Sequence, residues 1–351
     1  MMAKQKIYFG TYSKGEGNGL FRGEFDDESG EIILNDTINI ESPSYLQFDK
    51  TNPNIIYGVS EIGRFDDENG GALFSVDVSD PKKMRLIDIK PTHGKHPCHL
   101  CAKDNFIFVA NYSEGSLSIF EKDDNGNIKS SCQSIHHFGK GTNPNRQKQS
   151  HIHFATITPD NKYLAVCDLG MDKVFLYPYS AENGLSTNAK IIDCPSGSGP
   201  RHLTFSNDGE FMYVLTELEN SVLAYEYGGY SEFGIEYSQQ LPTLPPDFKG
   251  NSTSAAIHVS PDGKFLATSN RGHDSIAVFK FLDDNKFTFS HVMTGKEPRD
   301  FGFSPDGKWL LTANQNDDSV TVFKINNDHF IQTFNISIPK PVCIVFGGMN
   351  G

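Results

Sequence analysis

The sequence predicts an all-β chain, a seven-bladed β-propeller of four-stranded antiparallel blades, and three columns of repeats carry that expectation. The first column is PSYLQF from Pro43, PCHLCA from Pro97, IHFATI from Ile152, PRHLTF from Pro200, SAAIHV from Ser254, PRDFGF from Pro298 and PVCIVF from Pro341, at intervals of 43–55 residues. The second is IYFGT ending at Thr11, YGVSE at Glu61, IFVAN at Asn111, LAVCD at Asp168, YVLTE at Glu217, LATSN at Asn270 and LLTAN at Asn314. A third run follows each of these at short range, as GLFRGEF, ALFSVDV, SLSIF, KVFLY, SVLAY, SIAVF and SVTVF. Self-similarity at a period of this length marks a repeat architecture, and three visible strands with room for an outer fourth describe a propeller blade.

Each element has its own chemical reason. Period-two alternation and enrichment in β-branched and aromatic residues read as strands. Between the first and second runs stand TPDNK, SNDGE, SPDGK and SPDGK, with FDKTN a looser fifth. Asp-Gly and Asp-Asn suit hairpin turns because glycine and asparagine tolerate positive φ. The seventh first run lies at the C-terminus, whereas its second and third runs lie at the N-terminus, so strands from both ends should close the last blade. One domain spanning 1–351 follows, since no blade can bury both faces alone. Six or eight blades, or two stacked sandwiches, match seven repeats less well. A WD-type propeller is disfavoured because the only Trp, Trp309, sits inside a second run. The glycine-rich run Gly15-Glu16-Gly17-Asn18-Gly19 precedes a strand rather than a helix, so it reads as a turn and not as a phosphate cradle.

Composition narrows the function. The 351 residues are 37% hydrophobic and carry a net charge of −13, which argues against holding nucleic acid or an anionic membrane by the overall field. No run approaches the ~20 apolar residues of a membrane span, and the first residues read as a strand rather than a signal peptide. The expected compartment is the cytoplasm, with the six cysteines reduced. Cys98-His-Leu-Cys101 has the spacing of half a zinc site but lacks a second half. Glu61, Asp168 and Glu217 could gather round a cation, yet arginines beside them would oppose it. No metal and no cofactor is therefore expected.

In a propeller the starts of the innermost strands and the ends of the second strands share one rim. That rim should collect His99, His153, Arg201, His202, Arg299 and Asp300 from first runs, and Glu61, Asp168, Glu217, Arg271 and Gln315 from second runs. The longest loop, GKGTNPNRQKQSHIH over 139–153, brings Lys140, Arg146 and Lys148 and delivers His151 and His153 to the same place, as a lid or wall. Several arginines beside few carboxylates, in a protein this acidic, make a locally positive pocket. Arginine forks onto carboxylate or phosphate, so the expected partner is a small anionic molecule.

The segments GTNPNRQKQSHIHFATITPDNKYLAVCDLGMDKVFLY, GSGPRHLTFSNDGEFMYVLTELENSVLAYEY, IHVSPDGKFLATSNRGHDSIAVF and EPRDFGFSPDGKWLLTANQNDDSVTVF resemble the lactonase family of seven-bladed propellers. That family includes bacterial 6-phosphogluconolactonase and fungal carboxy-cis,cis-muconate lactonizing enzyme, and the resemblance runs in order along nearly the whole chain. It implies a catalytic set of His153, Arg201, Glu217 and Arg271; Arg146, Gln147, His151, His202, Arg299, Gln315 and Asp168, from the same rim and loop, are expected around the substrate. Thr216 stands where the family's N-E-L pattern has Asn. The function expected is lactone hydrolysis in sugar metabolism, foremost of 6-phospho-D-glucono-1,5-lactone to 6-phosphogluconate. A muconate-type lactonizing cyclase using the same arginines as carboxylate clamps is the enzymatic alternative, and a non-enzymatic binding platform the other. Glu217 and His153 both stand as candidates for the base, and oligomeric state is left open.

Overall fold

The structure, a computed structural model, describes residues 4–13, 15, 18–228, 234–282 and 287–347. Glu16 and Gly17 of the glycine-rich run lie outside the described residues. Blade 1 is built from Pro43–Phe48, Ile55–Ser60, Ala72–Asp77 and Arg85–Pro91, and blade 2 from Pro97–Lys103, Phe106–Asn111, Ser116–Lys122 and Ile128–His136. Blade 3 uses Ile152–Ile157, Tyr163–Asp168, Lys173–Ser180 and Lys190–Asp193, with the short Gly184–Leu185 beside it. Blade 4 comprises Pro200–Phe205, Phe211–Thr216, Ser221–Tyr227 and Ile235–Pro242; blade 5 comprises Thr253–Val259, Phe265–Arg271, Ser275–Phe281 and Phe287–Met293. Blade 6 takes Pro298–Phe303, Trp309–Asn314, Ser319–Asn326 and His329–Ser337. In blade 7 the C-terminal Pro341–Phe346 pairs antiparallel with the N-terminal Lys4–Thr11, followed by Leu20–Asp26 and Ile32–Ile38. The architecture is the seven-bladed, all-β propeller expected from the repeats, closed by both ends of the chain.

Burial explains why the ring must close. The apolar residues form seven clusters, each shared between two adjacent blades. Trp309 shows the closing contact: it packs edge-on against Phe25 at 5.9 Å, and its indole N–H donates to Asp27 O at 3.0 Å, joining blade 6 to blade 7. An isolated blade would leave both such faces wet, which is why stability in repeat folds resides in the interfaces.

One irregularity positions the functional rim. In six blades a polar residue at the end of the second strand or its equivalent (Thr11, Ser60, Asn111, Asp168, Thr216, Asn314) pairs with the first residue of the innermost strand, in blade 5 Asn270 pairs with the second residue, Ser254, and in all seven the register then slips. The residues skipped in this pairing are Ser44, Cys98, His153, Arg201, Ala255 with Ala256, Arg299 and Val342. A bulge re-aims the side chain it releases, and five of these residues, Ser44, Cys98, Arg201, Arg299 and Val342, line one hollow at the axis. The residues just past the second-strand anchors, among them Tyr12, Glu61, Tyr112, Glu217 and Arg271, stand above them. The axial channel beneath is filled by Tyr45, His99, Phe154 and His202, with His99 4.0 Å from both Tyr45 and Phe154 between ring centres.

Candidate active site

Glu217 is the hub of the mouth. Its side chain is only 3% exposed and meets three guanidiniums: Arg146 Nη2 at 2.5 Å from Oε1, Arg201 Nε at 3.0 Å and Arg271 Nη2 at 3.1 Å from Oε2. Each arrives differently. Arg201 is released by the bulge of blade 4, Arg271 ends the second strand of blade 5, and Arg146 hangs from the long loop. The Arg201 Nε–H is not aimed at the carboxylate, so that contact is ionic rather than a hydrogen bond. Its Nη1 instead reaches His202 Nε2 at 3.0 Å and donates to Ala255 O. Arg271 Nη2 also donates to Ser254 O at 3.2 Å.

Electrostatics fix the protonation states. Burial works against ionising Glu217, but the charges of Arg271, Arg201 and Arg146 outweigh it and hold the carboxyl well below its usual range. For His153, burial and then the charge of Arg201 push the imidazole well below its ordinary value despite the pull of Glu217, so the ring is neutral at pH 7. Burial and Arg201 do the same to His202 and His99. His153 Nδ1 faces Cys98 Sγ at 3.7 Å, and no hydrogen bond from Nε2 to a described residue is present. A deprotonated carboxylate, charged arginines and a neutral imidazole thus share one mouth.

The remaining expected residues divide into those at the mouth and those that hold it. His151 stacks on Tyr112 at 4.4 Å, and its Nδ1 donates to Tyr112 O at 3.0 Å; His153 meets the same ring edge-on at 5.4 Å. Arg299 stands with its guanidinium 4.8 Å from the centre of the Tyr12 ring. Gln315 is half-buried, and its backbone N–H donates to Glu297 O at 3.1 Å; it makes no side-chain contact with the Glu217 group among the described residues. Asp168 was expected to face substrate, and the structure corrects this. It is fully buried, with Oδ2 bonded to His137 Nδ1 at 2.8 Å and accepting from Ser150 Oγ at 2.7 Å, while Oδ1 accepts from the N–H groups of His151 and Gly170. No lone pair is left for a ligand.

Gln147 is likewise an anchor rather than a substrate contact. It is buried, its amide donates to Leu169 O at 2.8 Å and Asp172 Oδ1 at 2.6 Å, and its carbonyl accepts from Asn143 N–H. Asp172 in turn accepts from Gly197 and Gly199, in the turn that leads to Arg201. The long loop is therefore a fixed wall: Asp168 pins its two ends and Asp172 its middle, which sets Arg146 against Glu217. Thr216 fits the same logic, since its hydroxyl donates to Ser221 O at 2.9 Å and ties the following turn.

Three residues at the mouth were missed by the sequence reading or left without a role. Tyr112 accepts a 3.3 Å hydrogen bond from Arg146 Nη2, Tyr12 donates to Glu61 Oε2 at 2.6 Å, and Cys98 lies against His153. Tyr12 and Tyr112 occupy the positions equivalent to Glu61 and Glu217 in their own blades, one residue past the second-strand anchor. Aligning the second runs on that anchor would have exposed both. Among the described residues no three His, Cys, Asp or Glu side chains gather to hold a metal ion, and Cys98 and Cys101 are separated, Cys101 belonging to the apolar cluster between blades 2 and 3.

Comparison with known proteins gives a consistent answer. The family profile described as "Lactonase, 7-bladed beta-propeller" matches residues 6–346. The chain is 32% identical to the 6-phosphogluconolactonase of Bacillus subtilis (strain 168), over 98% of this chain and 99% of that one. It is 36% identical to an uncharacterized protein of Staphylococcus epidermidis, over 80% of this chain and 79% of the relative. The solved structure of a periplasmic gluconolactonase from Pseudomonas aeruginosa superposes with a TM-score of 0.90 at 30% identity, covering 99% of both chains. Fold, mouth and similarity converge, and the chain belongs to the lactonase family of seven-bladed β-propellers.

Proposed function

We propose that the protein hydrolyses a sugar lactone, 6-phospho-D-glucono-1,5-lactone being the substrate that the site chemistry and the Bacillus relative favour together. The observation that carries the reading is the triad of guanidiniums around one ionised, buried Glu217 beside the neutral His153. A carboxylate so firmly held in ion pairs is a poor proton acceptor. Its role is to organise Arg146, Arg201 and Arg271 and to stabilise positive charge on His153. The base is then His153, through Nε2.

The chemistry balances with these groups alone. Water attacks the lactone carbonyl carbon and gives a proton to His153, while Arg201 and Arg271 stabilise the oxyanion. Collapse of the tetrahedral adduct breaks the bond to the ring oxygen, which takes the proton back from His153, leaving a hydroxy-acid whose carboxyl releases its remaining proton to solvent. A lactone is already a reactive ester, so no covalent nucleophile is required. The reading places the enzyme in the cytoplasm, where its six free thiols suit a reducing compartment; activity found only in an extracytoplasmic fraction would overturn that placement.

The test is hydrolysis of 6-phosphogluconolactone and of unphosphorylated gluconolactone by the purified protein, corrected for spontaneous opening. Turnover well above background on either supports lactone hydrolysis, and preference for the first supports the phosphorylated substrate. No turnover on any lactone, with carboxy-muconate cyclised instead, would favour the lactonizing alternative.

A further inference from the structure

The mouth has two halves. Blades 3 to 5, with the long loop, supply the Glu217 cluster, in which three guanidiniums share one carboxylate. Blades 6, 7 and 1 supply a second group: Arg299 from the bulge of blade 6, Tyr12 from blade 7, and Ser44 and Glu61 from blade 1. Arg299 and Ser44 line a single hollow with Arg201, Glu61 and Cys98.

The charges in this second half are not balanced by contact. Among the described residues Arg299 has no carboxylate within ion-pair distance, whereas Arg146, Arg201 and Arg271 each lie within 3.1 Å of Glu217. The two carboxylates lining the hollow already have partners: Glu61 accepts from Tyr12 Oη at 2.6 Å, and Asp300 lies 3.2 Å from His258 Nε2 and accepts from Ile344 N–H at 3.0 Å. Arg299 rests over the face of Tyr12 at 4.8 Å. Stacking of this kind uses the face of the guanidinium and leaves its in-plane N–H fork available, the geometry that recognises oxyanions. Ser44 adds a second donor. It is 5% exposed, and its buried Oγ has no hydrogen-bond partner. A buried hydroxyl left unpaired is unfavourable unless something fills the site.

We infer that Arg299 and Ser44 form an oxyanion subsite, adjoining the Glu217 cluster, that holds the anionic tail of the substrate while that cluster acts on the reacting carbonyl. The inference rests on the lactonase reading for its kinetics but not for its binding chemistry. A phosphate and a carboxylate present the same kind of oxygen to these donors. The subsite defines a substrate with a charged group at the end remote from the lactone carbonyl, and it is the element that sets selectivity for charged over neutral lactones.

Two measurements test it, on the wild type and on Arg299→Gln, Arg299→Lys and Ser44→Ala. The first is calorimetric binding of inorganic phosphate and, separately, of malonate. Arg299→Gln should weaken the better of the two by roughly 10–100-fold, the loss expected for a charge-assisted contact. Arg299→Lys should recover part of that loss, and Ser44→Ala should cost a few-fold. Tighter binding of phosphate identifies a phosphorylated tail, tighter binding of malonate a carboxylated one. Binding unchanged in Arg299→Gln, or absent for both anions in the wild type, overturns the subsite. The second is the ratio of kcat/KM for phosphorylated to unphosphorylated gluconolactone, which should fall by a similar factor in Arg299→Gln, through KM. A wild type that turns over both lactones and an Arg299→Gln ratio that does not move would sink the subsite and leave the lactonase reading standing. A wild type inactive on both would sink the lactonase reading, and anion binding alone would then decide the subsite. Should Arg299→Gln fail to fold, Ser44→Ala carries the same two readouts.

Discussion

The two rims of the ring are built from the same strands and follow opposite rules. On the rim away from the site, one hydrogen-bond pattern recurs in blades 3 to 6. The Ser or Thr hydroxyl donates to the Asp two residues on, at 2.7 Å in Thr158–Asp160, 2.5 Å in Ser206–Asp208, 2.7 Å in Ser260–Asp262 and 2.6 Å in Ser304–Asp306. The same hydroxyl accepts from the backbone N–H five residues on, and the Asp accepts from the N–H two beyond itself. Gly209, Gly263 and Gly307, at φ of 69–76°, and Asn161 at 56° complete each turn in the left-handed region that glycine and asparagine tolerate. On the mouth rim the equivalent positions of different blades carry Tyr, Glu, Leu, Arg and Gln. Repetition survives where a residue only has to turn the chain, and is lost at the mouth.

The contrast is tested most severely at Glu217. Glu217→Gln removes the charge that gathers three arginines, and turnover should drop by about 10²-fold or more. Steady-state kinetics beside a thermal melt would check this. An unchanged rate on every lactone hydrolysed by the wild type would mean that the mouth does no chemistry. Asp168→Asn is the next largest. Its amide nitrogen would face Ser150 and His137 in place of an acceptor, loosening the loop that presents Arg146. We expect about a tenfold fall in kcat/KM and a destabilisation of about 1–3 kcal/mol, the usual cost of unsatisfied buried partners. A loss as large as that of Glu217→Gln, with no change in melting, would return Asp168 to the substrate.

The contrast also explains what the sequence could and could not show. Blade number, strand order and closure were legible because the turn-rim pattern and the apolar runs repeat. The meeting of Arg201 with Glu217 was legible because antiparallel topology alone brings the start of one strand beside the end of the next. Tyr12 and Tyr112 were not, because the second runs were aligned on their last polar residue. That column mixed two kinds of position. Asn111 and Asn314 are rivets: their amides donate to Ser116 and Ser118 and to Ser319 and Thr321. Asp168 belongs to the same class, whereas Glu61 and Glu217 sit one residue further on and face the mouth. The bulge that separates the two classes is a matter of hydrogen-bond register, which residue types report only indirectly. The pinning of Gln147 by Asp172 depends on where a long loop lands, and no local pattern encodes it.

A smaller effect isolates the turn rim. Ser304→Ala removes one hydroxyl that both donates to Asp306 and accepts from the Trp309 N–H at 3.0 Å. Loss of about 1–2 kcal/mol is expected, seen as a lower melting temperature, with lactone turnover unaltered. A matching fall in turnover, in a folded protein, would show that the two rims are coupled and that their separation is only descriptive.

The smallest effect separates the rims by pH. Burial and neighbouring arginine charge lower His99, His153 and His202 well below the ordinary imidazole value. The unfolded chain therefore binds these protons first as pH falls. The stabilisation is complete above about 6.5, declines as pH drops below that value, and is gone once the folded-state values are passed. On the turn rim, burial tends to raise Asp306, but hydrogen bonds from Ser304 and Lys308 win and lower it. The same depression at Asp160, Asp208 and Asp262 gives a stability that is full above about 4 and lost only below it. Melting temperature should therefore decline in two stages on acidification, the mouth first. His99→Phe tests the assignment: its ring lies between Tyr45 and Phe154 with Nε2 buried and unpaired, while Nδ1 accepts a 3.4 Å hydrogen bond from the Ala155 N–H, so phenylalanine fills the same space and removes the titrating group at the cost of that one long bond. The variant should melt at the wild-type temperature or slightly below it near pH 7, and its decline between about pH 6.5 and 5 should be shallower. A wild-type curve that stays flat down to about pH 4, or an unchanged slope in His99→Phe, would show that the buried histidines do not set the acid limit of the mouth.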